Sequence, residues 1–87
     1  MRLTPARRAF LEAATVHPVL LRTCGHFECA DSAISHTSGV ALVQCGLIER
    51  VAQGDFTAEE WDGTRLVGYR YRLTAAGRAA VEAQDAA

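Results

Sequence analysis

The sequence contains no lysine, so all nine of its basic side chains are arginines, and ten acidic residues balance them. The net charge of −1 implies neither strong attraction to a polyanion nor strong repulsion from one. Three cysteines, an odd number, argue against a disulfide-stapled scaffold and favour a reducing compartment. We therefore expect a cytoplasmic protein.

Long apolar segments and catalytic motifs are missing as well. No stretch approaches the roughly 18 apolar residues of a membrane helix, and the N-terminus lacks the apolar segment of a secretory signal. The sequence has no phosphate-binding glycine loop, no nucleophile elbow and no His-Glu-x-x-His helix. We expect a protein that is not an enzyme, needs no cofactor and has no membrane partner.

The sequence does contain enough apolar material for one globular domain. Hydrophobic residues make up 49% of the 87 positions and charged residues 22%, which is typical of a folded domain rather than a disordered chain. We assign residues 1–83 to this domain and expect residues 84–87 to be a frayed tail.

Capping residues mark the starts of three helices, and proline or glycine marks the ends of the first two. The predicted starts are Thr4-Pro5, Thr37 or Ser38, and Thr74; the predicted ends are His17-Pro18 and Gly46.

The region between the first two helices allows several interpretations. Residues 19–21 form an apolar run that suits either a strand or a helical turn, and residues 23–30 suit a turn or a small hairpin. Asp31-Ser32 is suited to cap a short helix containing Ala33 and Ile34.

The second half of the chain is typical of a strand pair. Residues 47–51 predict one strand, and residues 65–73 alternate with period two in the pattern of a second. Residues 52–63 predict a loop, in which positions 57–60 have capping-box spacing for one helical turn. The expected fold class is α+β: a small winged helix-turn-helix of about three helices with a two- or three-stranded antiparallel wing sheet.

Two segments resemble winged-helix regulators of the MarR and PadR type. They are Gly46-Leu47-Ile48-Glu49-Arg50, at the end of the predicted recognition helix, and Leu73-Thr74-x-x-Gly77-Arg78, between the second wing strand and the closing helix. The resemblance implies a DNA-binding transcriptional regulator or accessory factor, with double-stranded DNA as partner. The chain is too short for the long dimerisation helices of such regulators, so we expect it either to bind weakly alone or to form a homodimer through a terminal helix.

In this interpretation the helix near residues 35–45 contacts base edges and the wing contacts phosphates. The candidate DNA-binding residues are Ser35, His36, Thr37, Ser38, Gln44, Arg65, Arg70 and Arg72. No arginine lies between Arg22 and Arg50, so the helix lacks the cations that usually supply affinity. The competing interpretation is a solvated helix face and an edge strand protected by charge.

An acidic, aromatic loop favours a second function, protein binding. Its residues are Asp55, Phe56, Glu59, Glu60, Trp61 and Asp62. They would dock on a basic surface of a host protein complex, for example as a phage- or mobile-element-encoded inhibitor of a nucleic-acid-binding complex. Alternatively, the two aromatic rings fold back onto the core.

A zinc site is the weakest hypothesis. Cys24, His26 and Cys29, with His36 and Cys45 further along, lack a second ligand pair at the usual spacing. We assign no metal site from these residues.

Overall fold

The computed structural model describes residues 3–22, 25–52, 54–59 and 62–85. The elements in chain order are α1 (Pro5–Ala14), β1 (Val19–Arg22), β2 (Phe27–Cys29), β3 (Ser32–Ile34), α2 (His36–Gln44), β4 (Ile48–Arg50), β5 (Phe56–Glu59), β6 (Arg65–Leu73) and α3 (Ala75–Asp85). The predicted α+β class, with three helices and antiparallel strands, is confirmed. The architecture is consistent with a winged helix.

The long strand β6 organises the sheet. β1 pairs along one edge of β6, with Leu21 opposite Tyr69, and the β2–β3 hairpin continues the sheet beyond β1. β4 and β5 both pair along the other edge, β4 beside Leu73 and β5 beside Gly68. All of these pairings are antiparallel, and the strand order is β3-β2-β1-β6-β4, with β5 following β4 along β6.

The core lies on one face of this sheet. The buried strand residues occupy alternating positions, and side chains at alternating positions share a face. They pack with Phe10, Leu11 and Ala14 of α1, Leu42 of α2 and Val81 of α3. The strand residues of the core are Val19, Leu21, Phe27, Cys29, Ile34 and Ile48. The three helices therefore cover this face, which we call the inner face.

Helix α2 ends where the sequence predicts, at Gly46. This residue has a φ of 75°, a conformation in which glycine carries no side-chain penalty. The Gly46 N–H donates to the Val43 carbonyl and the Leu47 N–H donates to the Leu42 carbonyl, each at 3.0 Å. This pair of bonds is a Schellman motif, and it satisfies carbonyls that the helix end would leave unpaired.

Thr74 joins the end of α2 to the start of α3. Its hydroxyl donates to the Gly46 carbonyl and accepts the Gly77 N–H, while its own N–H donates to the Leu47 carbonyl at 3.0 Å. A Cβ at Gly77 would collide with the Leu47 carbonyl and with Leu73. The two sequence motifs are therefore bonded directly to each other, and we call this contact the Thr74 junction.

The sequence-based expectation of a short helix at Asp31-Ser32 is wrong. Residues 32–34 form strand β3, and Ala30, with a φ of 51°, turns the chain between β2 and β3. The hairpin forms because Phe27, Cys29 and Ile34 bury their side chains in the core beneath α1. A hairpin thus precedes α2, in the place where a helix-turn-helix has its first helix.

Two further local predictions are wrong. Residues 56–59 form β5 rather than part of a loop with a helical turn, because pairing with β6 supplies more backbone hydrogen bonds than one isolated turn. The residue that caps α2 is Ser35, whose hydroxyl accepts the Ser38 N–H at 3.2 Å, rather than Thr37 or Ser38.

Helix α3 extends through Asp85, so residues 84 and 85 are helical, and residues 86 and 87 lie outside the described ranges.

The Thr74 junction generates a stability prediction. Thr74→Val keeps the shape of the side chain but removes a helix cap and a hydrogen bond to Gly46, so we expect a loss of about 1–2 kcal/mol in the free energy of unfolding. Thr74→Ser keeps the hydroxyl and should lose less than half as much. Urea denaturation of both variants measures the difference, and equal stability of the two would contradict this role.

Candidate nucleic-acid interface

The first turn of α2 presents polar side chains to solvent. Ser35, His36 and Thr37 are exposed, and Ser38 is half-buried. The Ser35 hydroxyl caps the helix by accepting the Ser38 N–H. A helix start has several such free N–H groups, and this cap satisfies one of them. The turn can therefore offer hydroxyls, an imidazole and backbone donors to a ligand.

A cation from α1 lies against this turn. The Arg7 guanidinium donates from Nη2 to the Ser38 hydroxyl at 3.4 Å. Residues 36–44 themselves carry no lysine or arginine, so α1 supplies the charge that α2 lacks. Sequence reasoning missed Arg7 because 31 positions separate it from Ser38 and no local pattern connects them.

The position of α2 is set by Phe27, which lies beneath it. A Cβ on Gly39 would overlap the Phe27 ring, so the helix backbone rests directly on this side chain. The same ring lies 5.9 Å from His36 and 5.2 Å from Tyr71, measured between ring centroids. The first turn of α2 is thereby connected through Phe27 to the aromatic residues on the inner face of β6.

On the wing, which consists of β4, β5 and β6, an arginine stacks on a tyrosine. The Arg50 guanidinium carbon lies 4.2 Å from the centre of the Tyr69 ring, which is a cation–π distance. Arg50 is opposite Tyr71 in the β4–β6 pairing, so it lies on the inner face, on the same side as α2. We call the following set the helix–wing surface: Arg7, Ser35, His36, Thr37, Ser38, Arg50 and Tyr69.

Electrostatics on the helix–wing surface are governed by Asp55. Arg50 donates from Nη2 to both carboxylate oxygens of Asp55, each at 2.9 Å. The hydrogen bond to Asp55 raises the pKa of Arg50. Burial raises the pKa of Tyr71, so its phenol stays neutral beside Arg50. Arg50 therefore stays a cation, with the Asp55 carboxylate and the neutral Tyr71 phenol beside it.

The structure separates the predicted wing arginines onto two faces. Alternation along β6 places Arg65 on the inner face with Tyr69, and places Arg70 and Arg72 on the opposite face. Arg72 pairs with Glu49 at 2.7 Å. Arg70 donates to the Gly54 carbonyl at 3.2 Å. The structure does not bring Arg70 and Arg72 together with the first turn of α2, and Gln44 is exposed at the other end of that helix.

The residues of the predicted protein-binding loop are also distributed. Phe56 is half-buried, packs over Gly68 and has the Arg70 guanidinium 5.1 Å from its ring, so this aromatic ring folds back onto the wing. Glu59 and Asp62 are exposed, and the hydrogen bond from the Thr64 backbone lowers the pKa of Asp62. Asp55 pairs with Arg50, as described above. Glu60 and Trp61 lie outside the described residues.

The described part of the chain offers no metal centre or small-molecule pocket. Cys29 is buried, which raises the pKa of its thiol, and Cys45 is exposed, whereas Cys24 lies outside the described residues. No three potential ligands cluster within the described ranges. Over the same residues no cavity is present, and no helix is long and apolar enough to cross a membrane.

Comparison with known proteins returns no relative. No family model, no curated protein and no solved structure matches the chain. The resemblance to MarR- and PadR-type regulators therefore stays an expectation from two short motifs, and function has to be argued from the helix–wing surface itself.

The contact between Gly39 and Phe27 predicts a loss of stability. Gly39→Ala should cost about 1–3 kcal/mol of unfolding free energy through overpacking, because its methyl group overlaps the Phe27 ring. Thr37→Ala, at an exposed position of the same helix, is the matched control and should stay within about 0.5 kcal/mol of the parent. Urea denaturation measures both, and a stabilised Gly39→Ala variant would show that α2 does not rest on Phe27.

Proposed function

We propose that the chain is a small double-stranded-DNA-binding protein that acts as a transcriptional regulator or accessory factor. The observation that carries the proposal is the placement of two arginines, Arg7 and Arg50, on the same side of the molecule as the polar first turn of α2. This arrangement offers both of the contact types that DNA binding needs, base-edge contacts and phosphate contacts.

The first turn of α2 is suited to the major groove. Ser35, His36 and Thr37 carry side chains that hydrogen-bond to base edges, and their exposure leaves them available. The positive end of the helix dipole favours a phosphate near the same turn. Arg7 strengthens this preference because it adds a full charge beside Ser38.

The wing is suited to the phosphate backbone. Arg50 and Arg65 lie on its inner face. With so few cations, a single copy should bind duplex DNA weakly, with a dissociation constant on the order of 10⁻⁴ to 10⁻⁶ M at physiological salt. Pairing of two copies would place two such surfaces on adjacent half-sites. A cytoplasmic location is part of this proposal.

The proposed function predicts an affinity for duplex DNA that falls as salt rises and that depends on Arg7 and Arg50. Arg7→Gln and Arg50→Gln should each weaken binding to a labelled duplex and reduce the slope of log K against log salt by about 1. Arg78→Gln, on the exposed side of α3, is the matched control and should change neither quantity. Fluorescence anisotropy at several salt concentrations measures all of them.

Arg72→Gln tests which face of the wing meets the DNA. Arg72 lies on the face opposite α2 and is paired with Glu49, so this variant should behave like Arg78→Gln. A large loss from Arg72→Gln, with none from Arg50→Gln, would move the site to the outer face of the sheet. Binding that does not vary with salt, or no binding to any duplex, would remove the proposed function.

A second candidate function, protein binding, is favoured by the pairing of the wing arginines. Arg50 and Arg72 have carboxylate partners, whereas Glu59 and Asp62 present exposed carboxylates near the tip of the wing. Such a tip suits a basic surface on a host protein complex. Under this alternative, the wing rather than α2 makes the decisive contact.

Charge reversal separates the two candidates. The double variant Glu59→Lys with Asp62→Lys should improve duplex binding if DNA is the ligand, because repulsion from phosphate is replaced by attraction. It should instead abolish capture of a protein partner from nuclease-treated host extract if protein is the ligand. Weaker duplex binding by the double variant would count against DNA as the ligand.

A further inference from the structure

Arg50 is held by two neighbours at once. Its Nη2 group donates to both oxygens of Asp55 at 2.9 Å, and its guanidinium lies 4.2 Å from the centre of the Tyr69 ring. Stacking leaves the edge of the guanidinium as the part that can donate to a ligand. Nη2, the nitrogen that Asp55 engages, belongs to this edge.

The arrangement of the N–H groups on a guanidinium determines how Asp55 affects the binding of a phosphate to Arg50. An arginine holds a phosphate in a fork through two parallel N–H donors. The fork uses either Nη1 with Nη2, at the end of the side chain, or Nε with Nη2, at its side. Each fork uses one N–H of Nη2, and both Asp55 oxygens bond to this nitrogen, so a phosphate at Arg50 meets a donor group that is already shared and a charge that is already offset.

The fold places the Asp55 carboxylate beside the Arg50 guanidinium. The chain turns back after β4 through a hydrogen bond from the Gly54 N–H to the Val51 carbonyl at 3.1 Å. Arg70 donates to the Gly54 carbonyl and so braces the turn from the other face of the wing. This turn delivers the carboxylate of Asp55 to the guanidinium of Arg50, five residues earlier in the chain.

We propose that Asp55 competes with phosphate for Arg50 and thereby sets how strongly the helix–wing surface selects closely spaced phosphates. The inference rests on the proposed DNA-binding function. Both side chains of the pair are about half exposed, at 53% and 46%, and an exposed ion pair is weak enough to exchange partners. A DNA backbone, with its high local density of phosphates, displaces Asp55. Inorganic phosphate at the same total concentration does not.

Removal of the Asp55 charge tests the competition. Asp55→Asn keeps the size of the side chain and should raise the affinity for a labelled duplex by about two- to five-fold, the range expected for loss of an exposed ion pair. The salt slope should stay near that of the parent, because Arg50 contacts phosphate in both proteins once DNA has displaced Asp55. The gain should vanish in the Arg50→Gln background, so that Arg50→Gln with Asp55→Asn binds no better than Arg50→Gln alone.

Asp62→Asn is the matched control for net charge. Asp62 is also exposed and lies on the wing, but its carboxylate accepts the Thr64 N–H at 2.9 Å rather than holding an arginine. This variant should raise the affinity less than Asp55→Asn and leave the salt slope unchanged. Circular dichroism and urea denaturation verify folding, and Asp55→Ser provides a second variant should Asp55→Asn fail to fold.

Each remaining outcome overturns the inference in a distinguishable way. Equal gains from Asp55→Asn and Asp62→Asn would show a general charge effect and leave the proposed function standing. Weaker binding by Asp55→Asn would show that Asp55 orients Arg50 for the ligand rather than competing with it. Tight binding of inorganic phosphate by the parent protein would refute the selectivity. Absence of duplex binding by every variant would remove both the inference and the proposed function.

Discussion

The hydroxyl of Thr74 connects two parts of the chain that the sequence keeps far apart. It bonds to the last turn of α2 through Gly46 and to the first turn of α3 through Gly77. The β4–β6 pairing starts beside it, with Ile48 opposite Leu73. Because β6 joins this point to the wing, these hydrogen bonds tie the end of α2 to the wing, while Phe27 supports the helix from beneath.

The parts of the fold that sequence predicts well are those whose signals are local. Gly46 and Thr74 define a helix end and a helix start within a few residues, and the alternation along β6 is a property of nine consecutive positions. The β2–β3 hairpin was not predictable in this way. Its turn uses Ala30 at a φ of 51°, where a glycine or asparagine would have provided a signal. Its strands are also too short to show a period.

The candidate site was only partly predictable, because it depends on contacts between distant residues. Exposure of the Ser35, His36 and Thr37 side chains follows from their place at a helix start. The contribution of Arg7 and the stacking of Arg50 on Tyr69 do not, since each joins residues that no sequence window contains together. The number of arginines in the sequence likewise does not reveal that Arg50 and Arg72 are paired with carboxylates.

The contact of Arg7 with Ser38 has a consequence for how such a domain can diversify. The charge beside the polar turn of α2 is encoded in a different helix, whose inner side belongs to the core. A replacement at position 7 alters the electrostatic character of the surface while every residue of α2 and its packing on Phe27 stay the same. Under the proposed DNA-binding function, the residue that adds affinity and the residues that contact base edges therefore lie in separate helices, and each can change without the other.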